Sequence, residues 1–196
     1  MNTINLVSSL PDKKEYKNTT SHKFKEDLIS FFKDKNIINA LEIGANHGHT
    51  TKVLSYIAEK VYAIDWEEEN IEYVKSVNKE RDNIIAIQGN AYEDSTYKDI
   101  NCKFDLVFID CVHIYENVIA DINRSLEYFN ENKGIYLVFD DYGHPHPVTK
   151  GVKTAIDESI NSGLKLERYI GEDKGYSFGE NTTLIGNEGI ILSYGI

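Results

Sequence analysis

Five short apolar runs punctuate the first 140 residues: Ile37–Ile43, Lys60–Ile64, Ile84–Gln88, Phe104–Ile109 and Gly134–Phe139. Most are unbroken rather than alternating, the pattern of strands covered by helices on both faces of a parallel sheet. Helical patterns lie between them. Phe24, Leu28, Phe31 and Phe32 share one helical face behind a capping Ser21. Further helices are predicted over Thr51–Glu59, Glu67–Val77, Glu116–Phe129 and Lys150–Ile160. Alternating strand and helix predicts a doubly wound α/β sheet with right-handed crossovers. Two more runs, Leu164–Ile170 and Gly189–Tyr194, flank a glycine-rich stretch with no room for a long helix. They are expected to close the sheet as an antiparallel C-terminal edge hairpin, making seven mostly parallel strands.

The 196 residues suit one domain over 1–196, with residues 1–20 as a flexible lid, since that segment carries few apolar anchors. A net charge of −11 leaves no basic surplus for gripping phosphates, which disfavours a nucleic-acid partner. The lysines of Lys13–Lys35 are interrupted by acids and predict a solvated face. No apolar run is long enough to span a membrane. Cys102 and Cys111 have no pairing spacing and no signal peptide precedes them, so a cytoplasmic protein with reduced thiols is expected. A homo-oligomer stays open.

The first run ends in Glu42-Ile43-Gly44-Ala45-Asn46-His47-Gly48. Gly44 and Gly48 bracket a tight turn into the next helix, where glycine lets a ligand approach the main chain. The second run ends in Asp65-Trp66, 21 residues beyond Gly44. A carboxylate there can accept hydrogen bonds from ribose hydroxyls, and Trp66 can lie on an adenine face. The third ends in Gly89-Asn90-Ala91, whose polar side chain can meet the adenine edge.

Over about residues 37–160 this order resembles the class I S-adenosylmethionine-dependent methyltransferases, which implies a Rossmann-like fold. Glu42-x-Gly44-x-x-x-Gly48 looks like their first motif, with Asn46 in place of a common glycine, and Asp65 matches their ribose-binding acid. Asn90 stands where aspartate is more usual. The cofactor set so implied is Glu42, Gly44, Asn46, Gly48, Asp65, Trp66, Asn90, Ala91 and Asp110.

The fourth and fifth runs end in Asp110-Cys111-Val112-His113 and Asp140-Asp141. Parallel neighbours bring these ends together, and three bare carboxylates repel unless neutralised. A divalent cation, Mg²⁺ or Mn²⁺, suits hard oxygen ligands from Asp110, Asp140 and Asp141. The spacing is similar to that of the cation-dependent O-methyltransferases related to macrolide-sugar and cephamycin-pathway enzymes, as are Tyr115-Glu116 and Gly151-Val152-Lys153. The resemblance implies transfer to a hydroxyl oxygen of a small acceptor, a sugar or a phenol. Asp110 and His113 are then catalytic, His113 as a general base with an ordinary pKa near neutrality. A metal-independent methyltransferase and a non-catalytic S-adenosylmethionine-binding module are the alternatives. His144 and His146 could line the acceptor pocket, while His47 and His49 are expected to pack or face solvent. Acceptor specificity is assigned to residues 1–20, 142–150 and 171–187.

Overall fold

A computed structural model describes residues 3–146, 150–179 and 182–196. Seven strands form one sheet: β1 (Ile37–Ile43), β2 (Ala58–Asp65), β3 (Ile84–Gln88), β4 (Leu106–Ile109), β5 (Ile135–Phe139), β6 (Lys165–Ile170) and β7 (Gly189–Tyr194). Their order is β3-β2-β1-β4-β5-β7-β6. The first five are parallel, and β7 lies antiparallel between β5 and β6. The expected Rossmann-like α/β sheet with its antiparallel C-terminal pair is therefore present. Chain order reverses between β1 and β4, and open α/β sheets bind ligands outside the strand ends at such a point.

Seven helices accompany the sheet among the described residues: α1 (Thr3–Val7), α2 (His22–Phe32), α3 (His49–Ile57), α4 (Glu68–Val77), α5 (Asp94–Tyr97), α6 (Tyr115–Glu127) and α7 (Lys150–Asn161). Ser21 caps α2 as expected, its Oγ accepting from the Phe24 amide at 3.0 Å. The helix expected over Thr51–Glu59 begins two residues earlier and yields Ala58 and Glu59 to β2. The short α1 and α5 carry too few turns to leave a periodic signal.

Alternate strand residues point to opposite faces. Leu41, Ile43, Val107, Ile109, Leu137 and Phe139 pack with α6 and α7 through Val118, Ile122, Val152 and Ile156. Ala40, Val61, Leu106, Phe108 and Val138 pack with α2 and α3 through Phe24, Leu28, Phe32, Val53 and Leu54. Phe24 meets Phe108 edge to face at 5.9 Å, and truncating either ring to alanine should cost about 3–5 kcal/mol.

The N-terminal segment corrects one expectation. Leu6, Val7 and Leu10 are buried, so residues 3–20 carry apolar anchors after all. The solvated-face expectation for Lys13–Lys35 fails at Lys13 and Lys25, which are buried. Of the loops assigned to specificity, Met1, Asn2, Pro147, Val148, Thr149, Glu180 and Asn181 lie outside the described residues. No helix among the described residues is long and apolar enough to cross a membrane.

Candidate active site

The turn after β1 needs left-handed backbone at three positions. Gly44 has φ +88° and Gly48 φ +75°, while Asn46 adopts φ +45°, a region asparagine tolerates better than most side chains. That is why asparagine can stand where a glycine is common. A Cβ on Gly48 would come within 2.8 Å of the Val74 Cα. Glu42 does not face the cavity. It is 1% exposed and accepts from the Thr51 hydroxyl, tying β1 to α3. Burial pushes its carboxyl up to about 8, with Asp110 and Asp65 adding to the effect against the Thr51 bond.

Asp65 closes the turn from the neighbouring strand. Its Oδ2 accepts from the Asn46 amide at 2.8 Å, and its Oδ1 from the Glu67 amide and the Asn70 Nδ2, each at 3.0 Å. A carboxylate oxygen has two lone pairs, so Oδ1 is filled and Oδ2 keeps one for a further donor. Asn90 folds back on its own loop, its Oδ1 accepting from the Tyr92 amide at 3.1 Å and its Nδ2 donating to Glu93 at 3.1 Å. A cavity of about 250 Å³ opens here, lined by Gly44, Asp65, Trp66, Asn90, Ala91 and Tyr92 among others. Trp66 stands 74% exposed at its rim. A wider cleft of about 930 Å³ runs along β3 past Ile85 and Cys102, away from the acidic strand ends.

A second cavity, about 260 Å³, lies across Cys111 from the first. Asp110, His113, Asp141 and His144 line one side, and Lys13, Lys17 and Asn18 of the N-terminal segment the other. His113 Nε2 is 3.2 Å from Asp110 Oδ1, and its Nδ1 is 3.7 Å from Asp141 Oδ2. Burial alone would lower the His113 pKa. The Asp110 hydrogen bond and the charges of Asp110, Asp141 and Asp140 override it and push the imidazole up to about 9. The ordinary near-neutral value expected for this histidine is thus corrected: at neutral pH the ring is mostly protonated. Asp141 has φ +58°, a left-handed conformation that turns the chain immediately after β5.

Lys13 is the residue the sequence reasoning missed. Its ammonium lies 2.9 Å from Asp140 Oδ2, 3.1 Å from Asp141 Oδ1 and 3.8 Å from Glu188 Oε1. Burial opposes its charge, but these carboxylates hold its pKa well above the usual lysine range. Burial also raises Asp141, yet Lys13, His113 and His144 together keep it below the ordinary aspartate value. The partners are 127 residues apart in sequence, so no local spacing could reveal the pair.

The remaining candidates have structural partners. His47 bonds the Tyr16 hydroxyl and stacks on Tyr73, ring centroids 4.3 Å apart. Burial pushes His49 down to about 4. Burial pushes the Cys111 thiol up to about 11, so it is no nucleophile at neutral pH. Tyr115 bonds Glu158, joining α6 to α7, and Lys153 bonds Asp157 within α7 and Tyr142 of the loop after β5; neither Tyr115 nor Lys153 lines the cavity. The His146 amide meets His144 Nδ1 at 3.3 Å in the loop after the acids.

A family model described as a methyltransferase domain matches residues 41–142. An uncharacterized protein of Acanthamoeba polyphaga mimivirus, R132, is 30% identical over 128 residues, covering 60% of this chain and 57% of that protein. A fibrillarin-like rRNA/tRNA 2'-O-methyltransferase of Archaeoglobus fulgidus is 28% identical over 120 residues, covering 57% of this chain and 56% of its own. The chain thus spans little more than half the length of these relatives. Among solved structures, the O-methyltransferase TomG of Streptomyces achromogenes, in complex with SAM, superposes with a TM-score of 0.70 at 17% identity, covering 96% of this chain and 88% of that one.

Proposed function

This chain belongs to the methyltransferase domain family, and from that premise we propose that it moves a methyl group from S-adenosylmethionine to a hydroxyl oxygen of a small acceptor. The observation that carries the reading is the pair of cavities separated by Cys111, one at the ends of β1 to β3 and one walled by Asp110 and His113. A sulfonium methyl held in the first would face an oxygen held in the second. In this reading Gly44, Asn46 and Gly48 admit the cofactor, Asp65 takes its ribose, and Trp66 and Asn90 flank its adenine. Relatives support an oxygen acceptor, since both the fibrillarin-like enzyme and TomG carry O-methyl transfer in their names. An RNA ribose is the acceptor named for the first. A net charge of −11 favours a small acceptor over RNA here.

Methyl transfer is an in-line displacement at carbon, and the acceptor oxygen must shed its proton. His113, oriented by Asp110, is the group to receive it, acting from the minority of rings that are neutral below about pH 9, so turnover should rise with pH toward that value. Lys13, Lys17, Asn18 and Thr19 line the acceptor cavity, where this segment would help to exclude water from bound ligands.

A second, cation-assisted reading is favoured by one observation: ligand atoms of Asp110, His113 and Asp141 lie within 4.8 Å of one another. When bound there, a divalent cation would supply Lewis acidity to the acceptor hydroxyl. Asp140, the third acid expected to hold it, does not fit that role. Its Oδ2 is engaged by Lys13, and its Oδ1 is sealed from solvent with no hydrogen-bond partner.

The test is transfer of labelled methyl from S-adenosylmethionine to a panel of hydroxylated sugars and phenols, with amines as controls. Label appearing on oxygen supports the reading. Label on nitrogen alone overturns it.

A further inference from the structure

We propose that Lys13 is the resident cation of the acceptor cavity, a positioning residue standing where a divalent metal would otherwise balance Asp140 and Asp141. The inference rests on the O-methyl-transfer reading and chooses between its two forms.

The geometry is that of a built contact. The Lys13 ammonium bonds both strand-end aspartates and lies near a third buried acid, Glu188. Lys13 is 8% exposed, and its ammonium lies 5.2 Å from the centre of the Phe178 ring. Burying two adjacent carboxylates without a counter-charge is costly, and an ammonium with two direct hydrogen bonds offsets part of that cost. The remaining acid is satisfied separately. Glu188 accepts from the Ser21 amide at 2.9 Å, the Ser21 hydroxyl, and the Glu172 amide at 3.0 Å.

The loop that delivers Lys13 is closed at both ends. Lys25 donates to the Pro11 carbonyl at 3.1 Å and to the Thr20 carbonyl, so one ammonium clasps the two ends of residues 11–20. Asp12 accepts from the His22 amide at 2.9 Å, and His22 Nε2 meets the Leu10 carbonyl at 2.7 Å. On its far side the loop is tied to the cofactor turn by Tyr16 and His47. Lys13 is therefore held by its own backbone frame as well as by the acids. It orients Asp140 and Asp141 and presents positive charge to the cavity, which it helps to line.

The experiment uses Mn²⁺ alone, so it needs no acceptor and stays interpretable if oxygen transfer is the wrong chemistry. Mn²⁺ binding is followed by electron paramagnetic resonance on the full chain, wild type against Lys13→Ala and Lys13→Met. The expected result is no stoichiometric uptake by wild type and uptake by the variants, with affinity raised about tenfold or more. Equal binding by all three proteins overturns the proposal, as does a failure of both folded variants to bind. Folding is checked by S-adenosylhomocysteine binding. If neither variant folds, wild type decides: one Mn²⁺ per chain with Lys13 intact overturns the idea. As a functional readout, wild-type methyl transfer should persist in excess chelator, and Lys13→Arg should restore chelator resistance to an otherwise sensitive position.

Discussion

A Cβ built on Gly44 would lie 2.1 Å from the carbonyl oxygen of Asp110, so the cofactor turn and the proton-handling aspartate touch backbone to backbone. No side chain fits between β1 and β4 at that point, and φ there is +88°. Gly44→Ala is expected to cost about 1–3 kcal/mol from backbone strain and to displace Asp110 and with it His113. Chemical denaturation and S-adenosylhomocysteine calorimetry on the variant would both change. Wild-type values in both would show that the turn is looser than its geometry.

Asp65 has two duties that one substitution separates. Asp65→Asn keeps an oxygen for the Asn46 amide but loses charge and one set of acceptors. Asp65→Ala loses everything. S-adenosylhomocysteine affinity should fall by about 1–3 kcal/mol in the alanine variant, with a smaller loss for asparagine. Unchanged affinity in Asp65→Ala would remove the ribose from this strand end.

Trp66, the only tryptophan in the chain, offers a direct optical check. It is 74% exposed at the cofactor cavity's rim, so its emission should shift on S-adenosylhomocysteine binding if adenine stacks on it. Trp66→Ala should weaken binding by about 1–3 kcal/mol, and Trp66→Phe by less. Emission unaffected by saturating ligand would place the adenine elsewhere.

His113→Ala removes the proton acceptor but touches no part of the cofactor cavity. Turnover should fall about 10²–10⁴-fold while S-adenosylhomocysteine affinity stays near wild type. A variant that turns over normally would pass the proton role to another group.

The sheet was legible because its signal is local and repeated. Strands buried on both faces, such as Leu106–Ile109, read as unbroken apolar runs, and the turn glycines lie at their ends. The adjacency of the β4 and β5 ends was readable from chain order, and of the three acids expected to meet there Asp110 and Asp141 lie together with His113, while Asp140 turns to Lys13. What stayed hidden depends on long-range approach. Lys13 reads as one solvated lysine among several, and only the fold carries it to Asp140. The same holds for the His113 pKa, because three carboxylates from two strands set it. Asn90 shows the opposite limit: its position was legible, but not its turn back onto Tyr92 and Glu93.

Glu42 gives the protein a pH signature whose sign can be worked out. Burial first, then the charges of Asp110 and Asp65, push its carboxyl up to about 8 from an ordinary glutamate value of 4.5. The folded state therefore keeps a proton that the unfolded chain releases across that interval. Where the folded state binds more protons, stability falls as pH rises. Glu42's contribution is complete below about pH 4.5 and is lost progressively as pH climbs to about 8. Glu42→Gln keeps the shape and can still meet the Thr51 hydroxyl, but it cannot ionise. Its stability relative to wild type should therefore increase between about pH 5 and about pH 8.5. Denaturant unfolding of both proteins at the two ends of that window measures the difference. A constant difference would mean that Glu42 is ionised throughout, and that the Thr51 bond or a bound cation outweighs its burial.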